Sequence, residues 1–245
     1  MLGHLPLLLS DGARNVANIG FGSGVTAGVA LLYPIEKLDV IEISPEVVEA
    51  SRFFEHVNHR ALDDPRVELI IGDGRNHLRY TTMTYDVTIS EPSNPWMSGM
   101  ASLFTREFFE EVRARLSDRG IHCQWVHSYN MSTEDLRTIV RSFRSAFPHA
   151  ALWALNDSDF LLLGSPSPIE VRESVVRANF ERVRSDLERV QVQDLYSILS
   201  MFMIADEDLD RFAGEAAMNT DDFPVLEFRS PRFIYANTTD ENLQA

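Results

Sequence analysis

The chain has 245 residues, 44% hydrophobic and 24% charged, which is enough for one large α/β domain or one domain with an appendage. Its net charge of −15 opposes phosphate backbones, argues against nucleic acid as a partner and suits a small cationic ligand. A single cysteine, Cys123, rules out an internal disulfide framework or a cysteine-based metal site. No apolar run approaches the ~18 residues of a membrane span. The start, MLGHLPLLLS, lacks a basic stretch and a small-residue cleavage site, so a cytoplasmic protein with no membrane association is expected.

In chain order, residues 2–9 read as a short helix or strand ending at Ser10-Asp11-Gly12. VANIGFGSG is an apolar strand running into glycines, and TAGVALLYP a helix stopped by Pro34. LDVIEIS (38–44) is a second strand, followed by an amphipathic helix with Pro45 in its first turn. VELIIGD (67–73) and YDVTIS (85–90) are the third and fourth strands. TREFFEEVRARLSDRG reads as a helix with a glycine stop at Gly120, and IHCQWV as a fifth strand. A helix opening at Ser132 follows, then ALWAL and DFLLLGS as a hairpin split at Asn156-Asp157-Ser158.

This alternation from Val16 to Gly164 predicts a parallel sheet with helices on both faces and an antiparallel strand at its end. Residues 1–165 form the first predicted domain, built on this sheet. Residues 166–245 form a helical extension, strandless over 169–213, with a short strand in NTDDFPVLEFRSPR and a disordered tail.

Gly20-Phe21-Gly22-Ser23-Gly24 lies between a strand and a helix, where glycines permit a tight turn and close ligand approach. Glu42, 18 residues past Gly24, ends the second strand beside Ile43 and is placed to accept both hydroxyls of a ribose. Asp73-Gly74 ends the third strand, where the acid can accept from an adenine amine or form an Asx turn. Glu91 ends the fourth, in the stretch SEPSNPW, whose prolines stiffen the loop. Four successive strands thus end in glycines or an acid at the carboxyl edge, where open α/β sheets bind ligands. A dinucleotide fits less well, because Val25 stands where that motif wants its third glycine.

The pattern resembles the Rossmann-like class I S-adenosylmethionine-dependent methyltransferase fold. Within it, GDGRNHL, YDVTISEPSNPWMSGMASLFTREFF and IHCQWV resemble spermidine synthase and its bacterial relatives, including those fused to transporter segments. The resemblance implies a mainly parallel seven-stranded sheet with an antiparallel terminal strand. It also implies a transferase of polyamine biosynthesis, acting on S-adenosylmethionine or its decarboxylated form without a metal. An aminopropyl group would pass to a small amine acceptor, with release of methylthioadenosine.

Mapped onto this chain, the resemblance implies a nucleoside site of Gly20, Gly22, Ser23, Gly24, Glu42, Ile43, Asp73 and Gly74, with Glu91 either as the catalytic base or as the charge that holds the cationic ligand. Asn94, Trp96, Gln124, Trp125 and Asp221 line the acceptor side. Trp96 either stacks on the ligand or plugs the loop, and Asp221 either folds over the pocket or marks a turn.

Two departures concern the donor. Ser23 stands where synthases usually carry an acid in the glycine loop, and Asn94 where they carry the second acid of D-x-x-D. These keep open a methyltransferase or another S-adenosylmethionine-consuming enzyme, and beyond it a non-catalytic nucleoside-binding module. Synthases also carry an N-terminal hairpin domain, and this chain begins at its very end, so a minimal form or a piece of a longer protein is expected, either alone or as a homodimer. His77, His122 and His127 lack metal-ligand spacing and read as structural.

Overall fold

The computed structural model describes residues 1–244. These fold around one eight-stranded sheet: β1 (Asn15–Ile19), β2 (Lys37–Glu42), β3 (Val67–Ile71), β4 (Tyr85–Ser90), β5 (Leu116–His127), β6 (His149–Ala154), β7 (Asp159–Ser165) and β8 (Phe202–Ala205). The spatial order is β3-β2-β1-β4-β5-β7-β6-β8. Strands β1 to β5 are mutually parallel, β7 runs antiparallel between β5 and β6, and β8 adds antiparallel to β6. The direction of winding reverses between β1 and β4, and the crevice there is the ligand position of such sheets.

The helices are α1 (His4–Leu9), α2 (Val25–Ala30), α3 (Pro45–Ala50), α4 (Gly74–Tyr80), α5 (Arg106–Arg113), α6 (Thr133–Ala146), α7 (Glu173–Arg189), α8 (Leu195–Leu199), α9 (Glu207–Ala213), α10 (Val225–Arg229) and α11 (Thr239–Gln244). Their starts are written locally. The Ser44, Thr105 and Ser132 hydroxyls accept from the backbone N–H three residues on, with Pro45 and acids in the first turns.

Two cores cover the two faces. On one, Leu5 and Leu8 of α1 and Phe180, Val183 and Leu187 of α7 pack on Val87, Ile89 and Cys123 of the sheet. On the other, Phe108 and Phe109 of α5 and Ile139 and Phe143 of α6 pack on Tyr85, Val126, Phe160 and Leu162. The extension belongs to both layers: the Asn179 amide of α7 donates to the carbonyls of Leu7, Leu8 and Ser10 at 3.1–3.2 Å, closing the end of α1.

The structure corrects several expectations. Gly120 does not stop a helix, because α5 ends at Arg113 and Gly120 lies within β5. There the β4–β5 register shifts between Tyr85 and Val87, and a Cβ at Gly120 would stand 3.0 Å from the Tyr85 carbonyl oxygen, the role of a bulge glycine. Residues 169–213 are not strandless, since β8 pairs with β6. The expected terminal strand is the helix α10, and residues 239–244 of the expected disordered tail form α11. The sheet therefore has eight strands rather than seven.

Candidate active site

The carboxyl ends of β1, β2 and β4 are tied by backbone bonds. Gly20 N–H donates to the Ile41 carbonyl and Glu91 N–H to the Ile19 carbonyl, each at 2.9 Å. Gly20, Gly22 and Gly24 have φ of 86°, 53° and 80°, a region costly for side chains. At Gly20 the constraint is double, because a Cβ would stand 2.6 Å from the Glu91 carbonyl oxygen. The glycine loop and the loop carrying Glu91 are thereby pressed together.

Glu42 is 7% exposed and braces the same loop. Its Oε2 accepts from Phe21 N–H at 2.8 Å and its Oε1 from Ser44 N–H at 2.9 Å. Each oxygen keeps a second lone pair for a ligand hydroxyl. Ile43 beside it is 63% exposed, an apolar surface open at the same edge. Ser23 is half-buried, and its carbonyl accepts from the Asn58 amide at 2.9 Å. The exposed Asp73 takes the Asx arrangement, accepting from Asn76 N–H at 2.8 Å to cap α4. Gly74 lets α4 lie against β1, where a Cβ would stand 2.5 Å from Ile19 Cγ2.

Glu91 is exposed at the mouth of this crevice, and its Oε2 accepts from the Thr26 hydroxyl at 2.8 Å. Protein atoms crowding the carboxylate push its pKa up by desolvation, and the Thr26 hydrogen bond holds it down in part. Solvent access at the mouth moderates that rise. Thr26 belongs to no motif in the sequence, and its one signal is its place as the second residue of the helix after the glycine loop.

Beyond Glu91, four aromatic rings converge. Trp96 stands edge-on to His127 with centroids 4.8 Å apart and planes at 86°. Tyr129 is 4.8 Å and Trp125 5.4 Å from the same imidazole. The Asn94 amide donates to the Tyr129 hydroxyl at 3.2 Å, joining the loop after β4 to the end of β5. The Trp125 indole donates to Asp159 at 2.9 Å, which fixes its ring.

Two expected site residues are not brought to this cluster. Gln124 is fully buried on the opposite face of β5 from Trp125, as strand alternation requires, and its amide donates to the Trp125 carbonyl at 3.2 Å. Asp221 is committed to Arg75, accepting from both terminal guanidinium nitrogens at 2.8 Å, with Glu111 on the same guanidinium. Its carboxylate neutralises an α4 cation instead of standing free over the pocket.

His77 pairs with the Tyr85 hydroxyl at 2.8 Å and His122 with the Thr88 hydroxyl at 2.8 Å, as structural histidines do. His127 differs, as it is fully buried with no partner at either ring nitrogen among the described residues, and burial lowers its pKa to about 3. Its two-residue spacing from Trp125 on one strand face was the available signal. Among the described residues, no cluster of His, Cys, Asp and Glu could hold a metal, and no helix is long and apolar enough to cross a membrane.

A Rossmann-like sheet with a glycine turn, an acid ending β2 and an acid after β4 at one switch-point crevice defines the fold class. Residues 1–156 match the spermine/spermidine synthase domain, and the chain belongs to that family. The polyamine aminopropyltransferase of Thermococcus kodakarensis is 30% identical over 203 residues, spanning 80% of this chain and 68% of the relative. Putrescine N-methyltransferase 2 of Nicotiana tabacum is 34% identical over 156 residues, 63% of this chain and 44% of the relative. The chain thus spans about two thirds of the archaeal relative and under half of the tobacco one.

The fold is similar to that of the spermidine synthase from Thermotoga maritima, with TM-score 0.68 and 22% identity, over 87% of this chain and 73% of that one. A spermidine synthase in complex with the transition state analogue AdoDATO gives TM-score 0.67 and 21% identity, over 87% of this chain and 72% of that one.

Proposed function

We propose that the chain transfers an aminopropyl group from decarboxylated S-adenosylmethionine to a small amine. The observation that carries this reading is Glu91: an acid at the switch-point crevice, held by Thr26 against the glycine loop, with an aromatic cluster on its far side. Family membership supplies the reaction class.

Glu42 would accept from the ribose hydroxyls, and the glycine loop would let the nucleoside approach the backbone. The amine nitrogen attacks the methylene beside the sulfonium. A C–N bond forms, the C–S bond breaks, and its electron pair returns to sulfur, giving neutral methylthioadenosine. The proton leaving the amine goes to Glu91. The sulfonium is a good leaving group, so the chain's work is alignment and proton removal. Crowding raises the basicity of Glu91, which suits it to accept that proton.

Glu91→Gln should lower turnover by roughly 10²–10⁴-fold, the usual worth of a general base, with methylthioadenosine binding retained. Undiminished turnover would remove Glu91 as base. A homologue of this family also acts as a putrescine N-methyltransferase, and Ser23 and Asn94 here leave two positions neutral that would repel a donor carboxylate if acidic. Preference for intact S-adenosylmethionine in calorimetry, with methylated product, would establish that second reading.

A further inference from the structure

Three histidines of this chain are buried outright, and two have partners. His4 contacts Tyr33 at 2.9 Å and Asp186 at 3.0 Å, and His122 contacts Thr88 at 2.8 Å. His127 has none at Nδ1 or Nε2 among the described residues. A buried polar group without a partner destabilises a fold, so its presence calls for a reason.

The surroundings supply one. Trp96, Trp125 and Tyr129 stand around the imidazole with centroids 4.8, 5.4 and 4.8 Å away. Aromatic faces attract cations, most strongly where water is excluded. A neutral imidazole at such a centre offers one lone pair to an N–H donor and adds no like charge to repel it. The register places this cluster next to the reacting end: Ser90 is opposite Gln124, so Glu91 follows level with Trp125, and His127 lies two residues further along β5. Trp96 covers the imidazole in the structure but is itself half-exposed, on the loop that also carries Glu91.

Resting on the aminopropyl-transfer reading, we propose that Trp96 turns aside as the acceptor enters and that His127 accepts a hydrogen bond from the non-reacting ammonium of a diamine. His127 is then an acceptor-binding residue that favours diamines over monoamines. Glu91 handles the reacting nitrogen, and His127 holds the other.

The test compares wild type with His127→Phe, which keeps an aromatic ring and removes both nitrogens. The substrates are decarboxylated S-adenosylmethionine with 1,4-diaminobutane or with butylamine, which lacks the second ammonium. His127→Phe should raise KM for the diamine about tenfold or more, as expected when a charged-group hydrogen bond is lost. It should leave kcat, the butylamine kinetics and methylthioadenosine affinity near wild type. An unchanged diamine KM, or equal losses for both amines, overturns the proposal.

Should His127→Phe fail to fold, His127→Gln retains an acceptor and should keep the preference for the diamine; loss of that preference would overturn the assignment. If wild type transfers nothing, calorimetry of 1,4-diaminobutane on the methylthioadenosine-loaded protein separates the two questions. Binding that weakens in His127→Phe sustains the site without the reaction, and absent or unaltered binding overturns the site as well.

Discussion

Two carboxylates at the carboxyl edge of the sheet have different hydrogen-bonding surroundings. Glu42 is nearly enclosed and has a backbone N–H on each oxygen, whereas Glu91 has one hydroxyl donor and is crowded enough for its pKa to rise. If Glu42 holds a ribose, Glu42→Ala should weaken methylthioadenosine by about 1–3 kcal/mol, the worth of charged-group hydrogen bonds, measurable by calorimetry; full affinity would remove the assignment.

For Glu91 the sign of the pH dependence follows from the direction of its shift. A carboxyl whose pKa is higher folded than unfolded binds protons more readily in the native state, so stability falls as pH rises from the ordinary carboxylate range through the folded pKa. Glu91→Gln should therefore raise Tm above that window and lose the advantage below it. A Tm difference of the opposite sign would contradict the desolvation. Thr26→Val removes the donor that lowers the Glu91 pKa, so the acid limb of the rate profile should move to higher pH.

The glycines and the two acids were legible as residue types at strand ends, since that chemistry is local. Thr26 and His127 were not, because their roles depend on which neighbours the fold brings near. The pairing of Gln124 with Trp125 in one pocket was excluded by alternation alone.

At the scale of elements, β1 to β7 could be read from apolar runs and turn residues, because each carries its own hydrophobic signal. The extension could not. FMIA pairs with β6 only after α7 and α8 bring it there. VLEFR reads as a strand by its apolar content but is wound into α10 next to Asn219.

Asn219 is fully buried: its amide donates to the Ala101 carbonyl at 3.0 Å, its Oδ1 accepts from Leu226 N–H at 3.2 Å, and its carbonyl accepts from Arg106 N–H at 2.9 Å. Asn242 of α11 donates to the carbonyls of Ser128 and Met131 at 2.7 and 2.6 Å. The segment from 219 to 242 thus clamps the loop after Trp96 and the loop that carries Tyr129. Asn219→Ala should lower stability by about 1–3 kcal/mol by orphaning the Ala101 carbonyl and the Leu226 N–H, read as a lower denaturant midpoint. A neutral effect would show that the segment is only draped on the surface.

The whole molecule carries a net charge of −15, and the proposed acceptor is a cation. Long-range attraction of that kind is screened over about 8 Å at 0.15 M salt. Diamine KM should rise with ionic strength, while affinity for uncharged methylthioadenosine stays flat; parallel behaviour would separate the charge from recognition. Aminopropyl transfer is read by mass analysis of the products when the purified chain is incubated with 1,4-diaminobutane and either decarboxylated or intact S-adenosylmethionine. Methylthioadenosine and an aminopropylated diamine should form from the decarboxylated donor. Methylated diamine and S-adenosylhomocysteine from the intact donor, with no aminopropyl product, would contradict it.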